Sequence, residues 1–138
     1  MTTRGAKRAI AAEAGPPPGG PYSPAIAVGD LLFVSGQRPV DRSGAVVAGG
    51  FEEQARQVFA NLRSVLDGAG AALSDVVKVT VHLASISSFD ELNLVYREFF
   101  EEPFPTRTTV GSQLRGILVE VDAIAVRGSG TPGEEGAS

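Results

Sequence analysis

The chain contains no cysteine. Disulfide staples, a thiolate nucleophile and cysteine metal sites are therefore excluded. Its one histidine, His82, is too few to hold zinc by itself. There is no basic excess either: 12 Lys and Arg stand against 16 Asp and Glu, a formal charge of −4. A domain built to hold nucleic acid is usually basic, so that role is disfavoured. No apolar run reaches the ~18 residues of a membrane span. Met1 to Ala14 carries basic residues but no apolar stretch, so it does not read as a secretory signal. The expectation is a soluble cytoplasmic protein with no membrane partner. What the chain does have is 138 residues, 43% of them apolar and 20% charged. That is one domain with a real core, and it rules out disorder throughout.

Both ends differ from the middle. Gly15 to Gly20 reads GPPPGG and Gly128 to Ser138 reads GSGTPGEEGAS, rich in Gly, Pro and small polar residues and without apolar periodicity. Residues 1–20 and 128–138 are accordingly expected to be flexible tails around a folded domain, 21–127. Within it, Leu31 to Val34 is a short buried strand, preceded across a Gly29-Asp30 turn by Ile26 to Val28 in an antiparallel hairpin. Asp41 to Gly44 is a second turn, with Val46-Val47 a short strand after it. Phe51, Ala55, Val58, Phe59, Leu62, Val65 and Leu66 mark one face of a helix ending at a Gly68 cap. Val76 to Leu83 alternates, with Val77, Val79, Val81 and Leu83 on one side and Lys78, Thr80 and His82 on the other. Ser88 and Glu91 form a capping-box pattern before a second helix, striped by Phe89, Leu92, Tyr96, Phe99 and Phe100 and ended by Pro103 and Pro105. Thr106 to Ser112 and Leu118 to Val126 are the last strands.

This order predicts an α+β fold in which two helices cover one face of a five- or six-stranded sheet. The last strand is largely apolar on both sides, so an uncovered face remains, and a homo-oligomer with sheet packed on sheet is expected. On that second side, Glu120 and Asp122 share a face with Leu118 and Ile124. A carboxylate in such company is either ion-paired or solvated in a cleft. The first is structural; the second would make Glu120 a general acid or base. Arg107, in FPTRTTV, is the nearby cation, adjacent to Glu120 if the last two strands pair as a hairpin. Its guanidinium fork suits bidentate capture of a carboxylate.

The ordered set GPYSPAI (from Gly20), VSGQ (Val34), QARQVFANL (Gln54), VVKVTVHL (Val76), LNLVYREFF (Leu92), FPTRTTV (Phe104) and VEVDAIAV (Val119) resembles the RidA, or YjgF-like, family of reactive-intermediate deaminases. The resemblance spans nearly all of Pro21 to Arg127. It implies a chorismate-mutase-like fold, a homotrimer whose sheets form a central barrel, and ligand clefts between subunits. It implies cofactor-free hydrolysis of 2-imino acids, or the enamines that tautomerise to them, to 2-keto acids and ammonia. Carried over by position, Arg107 clamps the substrate carboxylate and Glu120 positions or activates water. Tyr22 lines the cleft, Ser35 and Gly36 bring a backbone N–H to the ligand, and Asn93 lies near the site. Thr109 stands where many members have cysteine, so no thiol is required here.

Holding an already electrophilic imine carbon beside a water asks mainly for positioning, with acid–base help worth ~10²–10⁴-fold. The segment between Arg107 and Glu120 is about two residues shorter than in the best-known members and lacks their Leu-Pro turn. Pro24 replaces a common glutamine and Asp122 a common glutamate. Substrate range is thus the least transferable property. Arg115, on that segment, reads as a solvated loop residue, with a second anion contact as the alternative. His82 has only Thr80 and Lys78 as same-face neighbours, which gives no catalytic triad. Alternatives to the deaminase are a module that binds a keto acid without turnover and a pathway-specific deaminase or hydrolase. A ribonuclease is disfavoured by the acidic balance and the lack of a basic aromatic stripe.

Overall fold

The computed structural model describes residues 5–11 and 15–130. One mixed sheet of six strands carries two helices on one face. The strands are β1 (Arg8–Ala9), β2 (Ala25–Val28), β3 (Leu31–Gln37), β4 (Val76–Leu83), β5 (Thr106–Gly111) and β6 (Val119–Val126). Their order is β1-β2-β3-β6-β4-β5, with all neighbours antiparallel except β4 and β5. The helices are α1 (Phe51–Gly68) and α2 (Phe89–Phe99).

The expected β2–β3 hairpin forms, with Gly29 in the left-handed conformation its turn requires (φ 58°). Val46 makes only an isolated bridge to Val40 rather than a strand. Helix α1 starts where the Gly50 N–H donates to Glu53 Oε1 at 2.8 Å. Gly68 is its last residue, not its cap. Ala69 caps it, and Gly70 (φ 76°) supplies the left-handed turn beyond. Ser88 makes no side-chain cap for α2, because Ile86–Ser88 is already a 3₁₀ turn capped by Ser85. In β4 a register shift between Val76 and Lys78 buries Val76 and leaves Val77 exposed, where strict alternation had placed Val77 inside.

The core lies between helices and sheet. Phe59, Leu62 and Leu66 of α1 and Leu92 and Val95 of α2 pack with Leu32, Val79, Val81, Leu83, Val119 and Val121 from the strands. Phe59 meets Tyr96 and Phe100 edge-on, at 5.6 and 5.8 Å between centroids. The other sheet face has no helix. It presents Leu31, Phe33, Ile124 and Val126, exposed or half-buried, as the two-faced apolar pattern of β6 required.

Composition placed residues 1–20 in a tail, yet Arg8–Ala9 pairs with β2, and the Ile10 N–H donates to the Ala25 carbonyl at 3.0 Å. An edge strand offers unpaired backbone groups whatever the side chains opposite, so composition carries no signal for such pairing. At the other end, Ser129 Oγ and the Gly130 N–H donate to Asp75. Of the expected tails, residues 1–4, 12–14 and 131–138 lie outside the described residues.

Candidate functional site

The hairpin expected between the last two strands does not form. A crossover through α2 would place its flanking strands side by side and parallel, and that is how β4 and β5 pair; β6 then returns on the far side of β4. Arg107 lies opposite Val79 and Glu120 opposite His82. They are separated by two strand spacings, about 10 Å sideways, and by three residues, about 10 Å along the sheet. They also face opposite ways: Arg107 shares the helix-side face with Val79, Glu120 the open face with His82. Each sits in its own group of candidate residues.

The first group is built on edge strand β5 and one stripe of α2. Phe89, Asn93 and Tyr96 follow the i, i+4, i+7 spacing that aligns side chains along a helix. They converge on Arg107. Its Nη2 donates to Asn93 Oδ1 at 2.8 Å, and its guanidinium carbon lies 4.7 Å from the Tyr96 ring centroid and 5.4 Å from that of Phe89. No carboxylate among the described residues lies within salt-bridge reach of Arg107. Two residues on, Thr109 shares that face, and its Oγ1 and the Tyr96 hydroxyl are both buried without a hydrogen-bond partner. Burial pushes the Tyr96 hydroxyl up to about 12, with the Arg107 charge opposing, so it stays neutral. A cavity of about 220 Å³ beside these residues is lined by Asn93, Tyr96, Arg97, Phe104, Pro105 and Arg107.

The second group sits where β3 leaves β6. The β3–β6 register shifts between Val34 and Gln37, a bulge that carries Ser35 and Gly36 out of regular pairing. Gly36 is thereby set against the Glu120 carboxylate: a Cβ on it would stand 2.6 Å from Oε2. Ser35 Oγ donates to the Ser23 carbonyl at 2.6 Å, tying the bulge to the segment that brings in Tyr22. The Tyr22 hydroxyl accepts from the Gly19 N–H at 3.0 Å. Glu120 has no ion pair among the described residues and lines a cavity of about 470 Å³ with Tyr22, Arg38, Gln113, Arg115 and Ile117. Within the chain, then, this carboxylate borders a cavity rather than an ion-pair partner.

The structure thus gathers Arg107, Asn93 and Thr109 in one place and Glu120, Gly36, Ser35 and Tyr22 in another. Sequence reasoning had placed Tyr96 and Phe89 in an apolar stripe; their spacing from Asn93 was the available signal for more. It had no signal for Arg38, which follows VSGQ in a loop. His82 also gains neighbours that the sequence did not reveal: Ser112 Oγ is 2.9 Å from Nδ1 and Asp122 Oδ2 3.6 Å from Nε2. The second distance exceeds a hydrogen bond, and Asp122 is half exposed, so this is a loose polar contact of the open face rather than a triad. Among the described residues, no group of three or more metal-ligating side chains is placed to hold an ion, and no helix is long and apolar enough to cross a membrane.

The family model described as Endoribonuclease L-PSP matches residues 12–127. A RutC family protein of Pyrococcus abyssi is 46% identical over 125 residues, 88% of this chain and 98% of that protein. The 2-iminobutanoate/2-iminopropanoate deaminase of Dermatophagoides farinae is 40% identical over 123 residues, 87% of this chain and 96% of that one. The crystal structure of E. coli TdcF with bound serine superposes with a TM-score of 0.80 at 33% identity, covering 87% of this chain and 98% of that one.

Proposed function

This chain belongs to the endoribonuclease L-PSP family, which includes the RidA proteins, and from that premise we propose that it is a deaminase of 2-imino acids and their enamine tautomers. The observation that carries the reading is the division of the candidate residues into two incomplete halves on one chain. Arg107, stacked and aimed but without a carboxylate partner, is an anion clamp with no acid–base group in reach. Glu120, unpaired beside a glycine bulge, is an acid–base group that Arg107 of its own chain does not reach. A cleft between copies, closing Arg107 of one against Glu120 of the next, completes both. The helix-free apolar sheet face supports such an assembly. The homotrimer with a central barrel follows from the family resemblance.

In that cleft Arg107 holds the substrate carboxylate in a bidentate pair, its own plane fixed by Asn93 and the two rings. Glu120 accepts a proton as water adds to C2 of the protonated imine, giving a carbinolamine. It returns that proton to the nitrogen and takes the hydroxyl proton as the C–N bond breaks, so a 2-keto acid forms and the departing ammonia carries the proton off as ammonium. Gly36 admits the ligand close to the backbone at Glu120, with Ser35 and Tyr22 shaping the wall. No step requires a cofactor.

The test is to generate 2-iminopropanoate with a serine dehydratase and follow pyruvate release as NADH oxidation by lactate dehydrogenase. Acceleration by the protein and its loss in Arg107→Ala is the expected result. No acceleration over buffer removes the proposal. The serine held by TdcF favours a second reading, a module that binds carboxylates without turnover. Calorimetric binding of a keto acid with no deamination would establish that instead. The ribonuclease in the family's description has no counterpart in this chain's net negative charge.

A further inference from the structure

Resting on that reading of the Glu120 cleft, we propose that its preferred substrates are 2-imino diacids, with Arg38 and Arg115 binding the second carboxylate. Both arginines line the cavity that holds Glu120 and Tyr22. Neither has a hydrogen-bonded or ion-paired side-chain partner among the described residues. Two guanidinium charges against the single Glu120 carboxylate leave this half of the cleft net positive. The Arg107 half is positive as well. A substrate with one carboxylate satisfies only the second of these.

The arginines are not drifting surface groups at their backbones. Arg38 is half-buried, and its carbonyl accepts from Asn61 Nδ2 at 2.9 Å, as does that of Val40. Ile117 is buried two residues beyond Arg115, and the Leu118 N–H donates to Gln54 Oε1 at 2.8 Å. Gln54 and Asn61 are buried polar residues seven apart on α1, hence on one face. Each spends its amide on one of the two loops that bear an arginine. Amides in a core cost free energy unless bonded, so their presence has to be matched by what they hold. What they hold is the backbone at and just after Arg38 and just after Arg115. A site set on anchored backbone binds its guest with less ordering cost.

The probes are two stable 2-keto acids, 2-oxoglutarate and 2-oxobutanoate, measured by calorimetry against the full chain, Arg115→Gln and Arg38→Gln/Arg115→Gln. The corresponding imines are compared in turnover. Tighter binding of the diacid by tenfold or more, shrinking stepwise in the single and double variants, is expected for a charge-assisted second contact. Arg115 is exposed, so its variant tests the claim without threatening the fold. Equal affinity for the two acids in the unaltered protein overturns the proposal, as does a diacid preference that survives the double substitution. If the diacid preference and its loss appear without any imine turnover, the deaminase reading fails and the second anion site stands.

Discussion

The guanidinium carbon of Arg107 lies over the ring of Tyr96, 4.7 Å from its centroid, while the hydroxyl on that ring is buried without a hydrogen-bond partner in the chain. A core tyrosine normally finds a partner for its oxygen. Here the ring stacks and the hydroxyl waits.

That arrangement predicts more than a charge requirement at position 107. Lysine keeps the charge but has neither the plane that stacks nor the fork that grips a carboxylate twice. Arg107→Lys should therefore lose nearly as much kcat/KM on imine substrates as Arg107→Ala, about 10²-fold or more, since charge-assisted bidentate bonds are the strong ones. Asn93→Ala, which frees the guanidinium but leaves it in place, should lose less, and mainly in KM. Steady-state kinetics on the three variants checks the order.

Tyr96 gives a prediction in pH. Burial pushes its hydroxyl up to about 12, against an ordinary tyrosine near ~10 in the unfolded chain. The folded state holds its proton more tightly, so stability is intact below pH ~10 and falls as pH rises from there through about 12. Absorbance at 295 nm should show one tyrosine ionising with a midpoint near 12, and Tyr96→Phe should remove that step and its share of the alkaline loss. Because the hydroxyl has no protein partner, the same variant should melt no lower than the parent at neutral pH.

Where the sequence was legible, the reason is local. Strand β4 and helix α1 carry their periodicity in their own residues, so their burial could be read without neighbours; the bulge that exposes Val77 could not, because it is set by pairing with β6. The placement of Arg107 failed for the same reason at larger scale. Nothing inside FPTRTTV or VEVDAIAV states that α2 lays β5 parallel to β4 and leaves β6 on the other side. The candidate residues came from motifs, and the expectation that Arg107 and Glu120 adjoin in one hairpin failed. Arg38 and Tyr96 were missed because their chemistry depends on what they face: a cavity in one case, a guanidinium in the other.

Gly36 tests the Glu120 half. A methyl group there would stand 2.6 Å from Oε2, closer than any real contact, so the carboxylate must swing aside. The residue's own φ is not left-handed, so Gly36→Ala carries no backbone strain and should fold. Displacing an acid–base group by about an ångström is enough to cost about 10²-fold. A loss in turnover with little change in Tm is expected, measured by imine turnover and thermal melting.

The strongest test of a shared cleft uses two inactive proteins. Arg107→Ala retains Glu120, and Glu120→Gln retains Arg107. If a site draws Arg107 from one copy and Glu120 from its neighbour, co-expressing the variants creates interfaces where both intact residues meet. With random assembly each such pairing forms at roughly a quarter of interfaces, so about that fraction of parental turnover should return. If both residues served one site from the same chain, every site would lack one of them and mixing would restore nothing. The opposed faces and the intervening β4 strand make recovery the expected outcome. Phe33→Lys in both variants should then abolish it, because a charge on the uncovered sheet face opposes burial against a second copy. Sedimentation would show the assembly lost together with the recovered activity.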